Sequence, residues 1–485
     1  MKVIHGSRRR CHAARIGTFL TIAILIAGMV GCGDGGYNPP PSENLEIRTW
    51  YDLDAIRDNL VGNHTLMNDL DCNSPGYAEL ASPTANEGKG WDPIGTFITD
   101  LGYREFGGTF DGQGYQIHDL SINRPDESSV GLFFSQSGVV KNISVVNVTV
   151  TGNYSVGGLV GFNSGTVIDC YASGNVIGEV GVGILAGCSN GSVGNSFSTG
   201  NMTGYAYIGS LVGYNYGTVS NSHSTGSGSG HEYVGGLVGG NHYGTISSSH
   251  SSAKVTGNDY VGGLVGCNGI PDLDLGEGNI VSDSYSTGSV SGYAYVGGLV
   301  GINYESYVRN SYSTSSVSGH EFVGGLVGKN AIPSIHIKMG EPSCCDWGVS
   351  ESYASGNVTG ERYVGGLVGQ NHGVPMDKWV PPEEFFVMVS NSYSTGNVIG
   401  NSSVGGLVGW NLYSTVSDSF WDTQTSGQDT SDGGTGKTTA EMQDFTTFSG
   451  VAWDIIGVVN SDTRNPFYIW NIVNSETCPF LSWQS

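Results

Sequence analysis

The block VGGLVGxN, in close variants, recurs nine times along this chain and constrains its fold more than any other feature. Its leucine stands at positions 159, 185, 211, 237, 264, 299, 326, 367 and 407, so most copies lie 26 or 27 residues apart and three lie 35 to 41 apart. A period of about 20–50 residues is typical of a solenoid, a propeller or an array, and a propeller blade needs about 40 or more. A spacing of 26 residues fits one turn of a three-sided parallel β-helix. The repeat therefore predicts an all-β parallel β-helix with small capping regions at both ends.

Aligning the copies on the repeat leucine indicates which positions form the core. The residue three before the leucine and the residue directly after it are apolar in all nine copies. Four after the leucine, Asn occurs in every copy except one, where Ser189 replaces it. Asn side chains stacked in such a column can hydrogen-bond to one another. The two glycines before the leucine leave open whether the valine or the leucine points inward, and a bulge there would let both do so.

Two further segments complete each repeat. The first has the pattern S-x-S-Y-S-T-G, and the second is short, as in Asn175-Val176. Short β-prone runs between glycine turns are typical of strands. The first segment carries a ring column that reads Tyr171, Phe197, His223, His250, Tyr285, Tyr312, Tyr353, Tyr393 and Phe420. We expect the β-helix to span 106–420, between an N-terminal cap region over 45–105 and a C-terminal cap region over 421–485.

The cap regions contain their own signals, because the ends of a solenoid expose strand edges that must be covered. Thr49 is placed to cap a short helix at the front. Thr438 and Glu441 have the spacing of a capping box at the back. Trp453, Trp470 and Trp483 are expected to pack over the last coil.

The N-terminus predicts export. Residues 1–31 combine a basic start with an apolar run from Ile16 to Val30, which is the pattern of a signal peptide. The run ends in Met29-Val30-Gly31-Cys32, which resembles a bacterial lipobox, and this resemblance implies that Cys32 is lipidated. Residues 32–44 then form a flexible tether. We expect a lipid-anchored protein of the outer membrane or cell surface, with ordinary secretion as the alternative.

Charge narrows the class of partner. The chain has 43 acidic and 19 basic residues, and five of the basic residues belong to the predicted signal peptide. Such an acidic surface disfavours nucleic acid and anionic lipid. The expected partners are a surface glycan or a protein ligand, with membrane contact through the lipid anchor only.

The full repeat, VGGLVGxNxGTVxxSYSTGxVxG, resembles the GLUG repeat of bacterial and archaeal surface proteins, including adhesins. The resemblance covers roughly Phe106 to Phe420. The flanks FGGTFDGQGYQIHDLSI and PFLSW also resemble those of such proteins. It implies a β-helix at a cell surface and implies no set of catalytic residues.

An aromatic stripe is the first candidate binding site. Four positions before the leucine, six consecutive coils carry a ring, at Tyr207, Tyr233, Tyr260, Tyr295, Phe322 and Tyr363. If the stripe faces out, it predicts a stacking platform for sugar rings or for a partner protein. If it faces in, it is an internal ladder. The neighbouring glycines leave the choice open.

An acidic pair is the second candidate. Glu232 and Asp259 fall on adjacent coils, about 5 Å apart by strand spacing, which is near the carboxylate separation of a retaining glycosidase. Adjacent carboxylates also suit Ca²⁺. The alternative is that they are two solvated turn acids, because no third ligand and no arginine partner is evident. No other cofactor is expected and no metal is assigned.

Three long copies place insertions after the Asn column, at about 269–279, 331–348 and 372–388. Insertions on one face of a solenoid often form the binding face. Trp347 and Trp379 are the candidate binding residues there, and variable decoration is the alternative.

The sequence thus predicts a surface adhesion or binding scaffold without catalysis. One alternative is a carbohydrate-active β-helix enzyme, a polysaccharide lyase or a glycoside hydrolase. Such an enzyme needs several Asp, Arg or Lys side chains converging on one outer face, and basic residues are sparse in the repeats. A second alternative is a structural envelope or stalk protein.

Overall fold

The computed structural model describes residues 44–98, 102–269, 279–332, 347–373, 388–451 and 453–484. Cys32 and Trp379 lie outside these residues, as do the signal peptide and most of the three insertions. Long stacks of short parallel strands dominate, so the predicted parallel β-helix is confirmed. None of the helices in the described ranges is long and apolar enough to cross a membrane.

Each coil passes through four parallel sheets. The VGGLVGxN block contains two short strands, in sheets 1 and 2, and the following T-V segment adds one strand to sheet 3. The S-x-S-Y-S-T-G segment and the short segment after it both run in sheet 4. The coil is therefore divided more finely than the sequence indicated, because the glycine pair interrupts what reads as one strand.

The strands of each sheet recur once per coil. Sheet 1 contains Tyr154–Val156, Val180–Val182, Ala206–Gly209, Glu232–Gly235, Asp259–Gly262, Ala294–Gly297, Glu321–Gly324, Arg362–Gly365 and Ser402–Gly405. Sheet 2 contains Phe133–Gln136, Val160–Asn163, Ala186–Ser189, Val212–Asn215, Val238–Asn241, Val265–Asn268, Val300–Tyr304, Val327–Ala331, Val368–His372 and Val408–Leu412.

Sheets 3 and 4 extend further toward the two ends of the chain. Sheet 3 contains Glu46–Ile47, Asn63–Leu66, Thr109–Asp111, Val139–Lys141, Thr166–Ile168, Ser192–Gly194, Thr218–Ser220, Thr245–Ser247, Ile280–Ser282, Tyr307–Arg309, Gly348–Ser350, Met388–Ser390 and Thr415–Ser417. Sheet 4 contains Gln116–His118, Ser121–Asn123, Ser144–Thr151, Tyr171–Ile177, Phe197–Thr203, His223–Ser224, Ser227–Ser229, His250–Ser251, Lys254–Thr256, Tyr285–Ser286, Ser289–Ser291, Tyr312–Ser313, Ser316–Ser318, Tyr353–Ala354, Val358–Thr359, Tyr393–Ser394, Val398–Ile399, Phe420–Asp422 and Thr435–Lys437.

The core answers the question that the glycines left open. In the fourth repeat, Val234, Leu237 and Val238 are all fully buried. The valine and the leucine therefore both point inward, because the chain leaves sheet 1 at Gly235 and enters sheet 2 at Val238, so the two residues do not belong to one alternating strand. Each such side chain stabilises the fold by about 1.5–3 kcal/mol relative to leaving it exposed.

The Asn column forms the predicted amide ladder. From Asn215 onward, the side-chain Nδ2 of each Asn donates to Oδ1 of the Asn in the next coil, over 2.8 to 2.9 Å. The members are buried up to Asn371, and the last is Asn411. Because buried amides without partners are costly, this ladder fixes the register between coils.

The N-terminal region begins the solenoid as well as covering it. Thr49 caps the helix Trp50–Asp54 in a capping box, and the 3₁₀ helix Ala55–Asp58 follows. Strand Asn63–Leu66 already pairs in register with Thr109–Asp111 of sheet 3. This region also contains helices Tyr77–Leu80 and Ala85–Gly88 and an antiparallel strand pair, Thr96–Ile98 with Gly102–Arg104.

The C-terminal region does two separate things. Residues 427–437 cover the last coil, where Ser431 Oγ accepts hydrogen bonds from the backbone N–H groups of Leu407 and Val408. Residues 438–484, which we name the C-terminal lobe, begin at the predicted Thr438/Glu441 capping box. The remaining elements of this region are helices Thr423–Ser426, Thr439–Met442 and Phe445–Ser449 and strands Ile455–Gly457, Trp470–Ile472 and Phe480–Leu481.

Of the three tryptophans in the C-terminal lobe, Trp453 does contact the last coil, because it packs against Phe420 at 6.0 Å between ring centroids and its Nε1 donates to the Asp418 carbonyl over 2.8 Å. The other two tryptophans contact earlier coils, so the prediction is wrong for them. They lie along the outside of sheet 4, where Trp483 contacts Tyr312 at 5.7 Å between ring centroids. Trp470 contacts Tyr393 at 5.8 Å in the same way. The ring column on sheet 4 offers the lobe an apolar surface, and its members from Tyr312 to Phe420 are buried there.

Candidate functional site

The aromatic stripe lies at a bulge in sheet 1. Between adjacent coils, Glu232 pairs with Asp259 and Val234 pairs with Val261, so the residue between them is left out of the register. That residue is Tyr233, whose φ is +56°. The other five stripe residues have φ between +55° and +59°. A bulky side chain in the left-handed region is unusual. Because it recurs in six consecutive coils, the bulge is a regular part of this fold.

The rings of the stripe stack face to face along the coils. Consecutive centroids from Tyr207 to Phe322 lie 4.5 to 4.8 Å apart, with ring planes within 6° of parallel. Tyr363 continues the stack at 4.9 Å, and Trp410, which the sequence did not single out, extends it at 4.8 Å. The stripe residues are half-buried, so the stack lies on the outside of the solenoid.

This stacking changes what the stripe can bind. Each internal ring has a neighbour on both faces, so its edge is the part left for a ligand. A sugar ring that stacks on an aromatic face has no free face between Tyr233 and Phe322. The outward orientation that we considered is therefore correct, but the face-stacking platform expected with it is not available within the stack.

A buried polar cluster supports the N-terminal end of the stripe. Tyr207 contacts Tyr214 edge-on at 4.5 Å, and the Tyr214 hydroxyl hydrogen-bonds to Nδ1 of His242. His242 is 1% exposed, and burial lowers its pKa to about 3. Gly240 makes room for these rings, because a Cβ there would lie 2.7 Å from the Tyr207 ring.

Cations gather at the C-terminal end of the stripe. Lys329 Nζ lies 5.6 Å from the Tyr295 ring centroid, and burial lowers the pKa of this lysine. Arg362 packs over the Tyr363 ring and donates to its hydroxyl over 2.9 Å. The same guanidinium pairs with Glu321 at 2.8 Å. The two ends of the stripe thus differ in charge although the rings between them are alike.

The acidic pair lies beside the stripe on neighbouring strands. Glu232 and Asp259 are register partners, with Nδ1 of His231 3.7 Å from the Glu232 carboxylate. Burial raises the pKa of Asp259, while a hydrogen bond from Asn258 opposes that shift. Across the described ranges, no three His, Cys, Asp or Glu side chains converge as a group that could hold a metal. The structure therefore adds no third ligand to this pair.

Trp347 is separate from the stripe. It directly precedes strand Gly348–Ser350 of sheet 3, whereas the stripe residues belong to sheet 1. Its carbonyl accepts a hydrogen bond from Met388 N–H at 2.9 Å. Its proposed partner Trp379 lies outside the described residues, so their grouping stays a prediction.

A second stack of rings, which we name the outer ladder, lies on the outside of sheet 4. Its members are the ring column from Tyr171 to Phe420, and centroids from Tyr171 to Tyr393 are 4.3 to 5.0 Å apart. The C-terminal lobe covers the ladder from Tyr312 to Phe420, and these residues are 3 to 7% exposed. The first five members, Tyr171, Phe197, His223, His250 and Tyr285, remain half-exposed.

The repeat matches a known sequence motif and is shared with other proteins. The GLUG motif matches residues 152–177 and 230–256. Halomucin of Haloquadratum walsbyi is 32% identical over 144 residues, which are 29% of this chain and 2% of halomucin. A predicted Gly-rich membrane protein of Evansella cellulosilytica is 34% identical over 175 residues, 33% of this chain and 19% of that protein. The chain thus spans a fifth or less of these relatives.

A solved structure also resembles the chain as a whole. It is the crystal structure of a candidate immunoglobulin A1 protease from Bacteroides ovatus, 14% identical, covering 90% of this chain and 91% of that one. The TM-score is 0.33. This likeness carries no argument about activity.

Proposed function

We propose that this chain is an exported cell-surface protein whose GLUG-repeat β-helix acts as a binding scaffold in adhesion. The observation that carries the proposal is the repetition of the outer surface. Coil after coil presents the same side chains in register, and the stacked rings show that this order extends across at least six coils. A solenoid surface of this kind suits an extended or repetitive ligand.

The names of the relatives support an extracellular location. One relative is named halomucin and the other a Gly-rich membrane protein. The excess of acidic residues keeps such a surface soluble and repels anionic lipid. The expected ligand is a glycan or a protein on another surface.

Attachment of whole cells tests the adhesion. Cells that carry the full chain should bind to glycan- or protein-coated surfaces more strongly than cells from which it is deleted. Replacing the stripe rings Tyr233, Tyr260 and Tyr295 with Ser measures their share of this binding. Equal attachment with and without the chain would contradict the adhesion role and favour the structural stalk.

The lipid anchor at Cys32 is a separate part of the proposal. Metabolic labelling with a radioactive fatty acid should mark the wild-type chain and not the variant Cys32→Ser. The variant should appear in the culture medium. If the variant stays with the cells and wild type takes up no label, the chain is held at the surface by something other than a lipid.

A carbohydrate-active enzyme is the second candidate, and one observation favours it. Asp259 has a raised pKa and lies next to Glu232, as a proton-donating carboxyl beside a second carboxylate does in glycosidases. Release of reducing ends from a polysaccharide panel tests it. Activity that is lost in both Glu232→Gln and Asp259→Asn would establish this candidate, and no release by the wild type would remove it.

A further inference from the structure

Sheet 4 exposes three polar columns beside the outer ladder. Along each strand the inward positions, such as Ala172 and Val176, are buried, and the alternate positions face solvent. These outward positions are mostly Ser, Thr and Asn. The columns read Ser173, Thr199, Thr225, Ser252, Thr287, Thr314, Ser355, Thr395; then Asn175, Asn201, Ser227, Lys254, Ser289, Ser316, Asn357, Asn397; and Ile177, Thr203, Ser229, Thr256, Ser291, Ser318, Thr359, Ile399. We name this surface the hydroxyl face.

The hydroxyl face is nearly free of charge. Lys254 is its only charged member, although the chain contains 43 acidic and 19 basic residues. A surface that simply faced water would share in the acidic character of the chain. The exclusion of acids from three whole columns points to contact with something neutral, because charges that lose water without gaining a partner are costly.

The side chains of the hydroxyl face are ordered by bonds that run from coil to coil. Asn201 Nδ2 donates to Asn175 Oδ1 over 2.9 Å, and Ser227 Oγ donates to Asn201 Oδ1 over 2.5 Å. Thr225 and Thr199 hydroxyls are 2.7 Å apart. Groups already held in place lose less entropy when a ligand binds. Each hydroxyl keeps further lone pairs for a ligand.

The neighbours of the hydroxyl face change along the stack of coils. The half-exposed ring edges of Tyr171 to Tyr285 border it at one end of the stack. Further along, the C-terminal lobe covers the rings from Tyr312 onward, yet Thr314 and Ser316 beside them stay exposed. The lobe therefore stands beside the polar columns without covering them, and the face runs on past it along the coils.

We infer that the hydroxyl face binds a neutral, linear polysaccharide that lies along the stack of coils. The inference rests on the proposed binding function and names its site and ligand class. Coils repeat at about 4.8 Å, close to the length that one pyranose unit adds to an extended chain. One sugar unit can therefore meet the hydroxyl and amide groups of one coil. The ligand is bound by hydrogen bonds. It does not stack on the aromatic rings of the stripe, because neighbouring rings already cover their faces.

The test measures binding of the full chain to insoluble polysaccharides. The neutral probes are cellulose, starch, β-1,3-glucan and chitin, and the anionic probes are alginate and pectate. The triple variant Asn201→Glu, Ser227→Glu, Ser289→Glu places three charges on the hydroxyl face. The matched control, Thr166→Glu, Thr218→Glu, Thr245→Glu, adds the same charge to the outside of sheet 3.

We expect wild type and control to bind at least one neutral polysaccharide with similar affinity, and the hydroxyl-face variant to bind it about tenfold more weakly or worse. Circular dichroism establishes that both variants fold. If the charged variant does not fold, the milder variant Asn201→Ala, Ser227→Ala, Ser289→Ala replaces it. This variant should also weaken binding.

Three results would overturn the inference. Binding that survives the hydroxyl-face variant but is lost with the stripe variant would move the site to sheet 1. Binding only to alginate or pectate would exclude a neutral ligand. Binding to no polysaccharide, while cells still attach through the chain, would exclude this ligand class and leave the proposed adhesion function standing.

Discussion

The stripe on sheet 1 and the outer ladder on sheet 4 have the same spacing but are built in different ways. Stripe residues such as Tyr260, at φ +59°, occupy a left-handed bulge, while ladder residues such as Tyr285 lie in extended strands. The C-terminal lobe buries four of the nine ladder rings, whereas the stripe rings stay half-buried. Ring stacking at coil spacing is thus compatible with two backbone conformations, at different energetic cost.

The energetic cost differs because only the stripe residues have an unfavourable left-handed backbone conformation. A left-handed conformation costs an L-residue about 1–2 kcal/mol. An offset-stacked ring pair returns about 0.5–1.5 kcal/mol. The six stripe rings form five such pairs, because neighbouring rings share each pair. Stacking therefore offsets only part of the backbone cost in the stripe, whereas the covered part of the ladder gains from stacking and from burial beneath the lobe without that cost.

The largest expected difference concerns removal of a covered ring. Tyr393→Ala deletes a ring that is 3% exposed and the hydroxyl that bonds to the carbonyl of Pro479. We expect a loss of about 3–5 kcal/mol in the free energy of unfolding. Tyr260→Ala should cost less, about 1–3 kcal/mol, from its two stacking pairs. Chemical denaturation measures both. Equal losses would show that the lobe adds nothing to the ladder.

The next difference is in the response to pH. Burial holds the pKa of His242, beneath the stripe, at about 3, so the unfolded chain binds a proton more readily below pH 6.5. Stability is therefore complete above pH 6.5 and falls as the pH drops toward 3. Between pH 7 and 5 the expected loss from this group is about 2 kcal/mol, at about 1.4 kcal/mol per unit.

The variant His242→Gln isolates this contribution, and His223→Gln serves as the matched control in the ladder. Burial also lowers the pKa of His223, but that ring is half-exposed, so its share should be smaller. Unfolding curves at pH 7 and 5 compare the three proteins. If His242→Gln keeps the full pH dependence of the wild type, the sensitivity arises elsewhere.

A third experiment reverses the usual ranking of glycine and alanine. At Tyr260, glycine relieves the left-handed backbone, so Tyr260→Gly should be about 1 kcal/mol more stable than Tyr260→Ala. At Phe197, in an extended strand, the glycine variant should be less stable than the alanine variant by about 0.5–1 kcal/mol. Melting temperatures report both orders. The same order at both sites would refute the difference in backbone.

The smallest effect is expected at the charged end of the stripe. Arg362→Ala breaks the pair with Glu321, but the arginine side chain is 50% exposed. Solvent screens exposed pairs, and ordering their two long side chains costs entropy, so they contribute little to stability. We expect a melting temperature close to that of the wild type, and a large drop would mean that the stack depends on its terminal cation.

The repeating parts of the fold were predictable from the sequence. Nine aligned copies show which positions are always apolar and which is Asn in all but one copy, and these are the positions that packing constrains. The apolar columns and the Asn ladder follow from the alignment alone, although the alignment left open whether the valine or the leucine points inward. The left-handed Tyr233 was not visible, because glycines on one side of it blur the alternation. The covering of ring faces depends on distances between coils, which no column shows.

Contacts between residues far apart in the chain could not be predicted from the sequence, for a different reason. Trp470 packs against Tyr393, and nothing in the residues between them fixes that contact. The hydroxyl face did leave a signal, since Ser and Thr recur at fixed positions after each ring. Asking which columns exclude acidic residues would have found it.

The amide ladder also explains where this protein can vary. Each Asn is tied to the coil before and the coil after, so the chain is already anchored when it reaches Asn268, Asn330 and Asn371. The three insertions begin directly after these residues, and the chain rejoins sheet 3 beyond each of them. Evolution can thus lengthen, shorten or exchange those segments without disturbing the register of the coils. The ladder makes the β-helix a fixed frame that accepts loops of different length at the same corner of different coils.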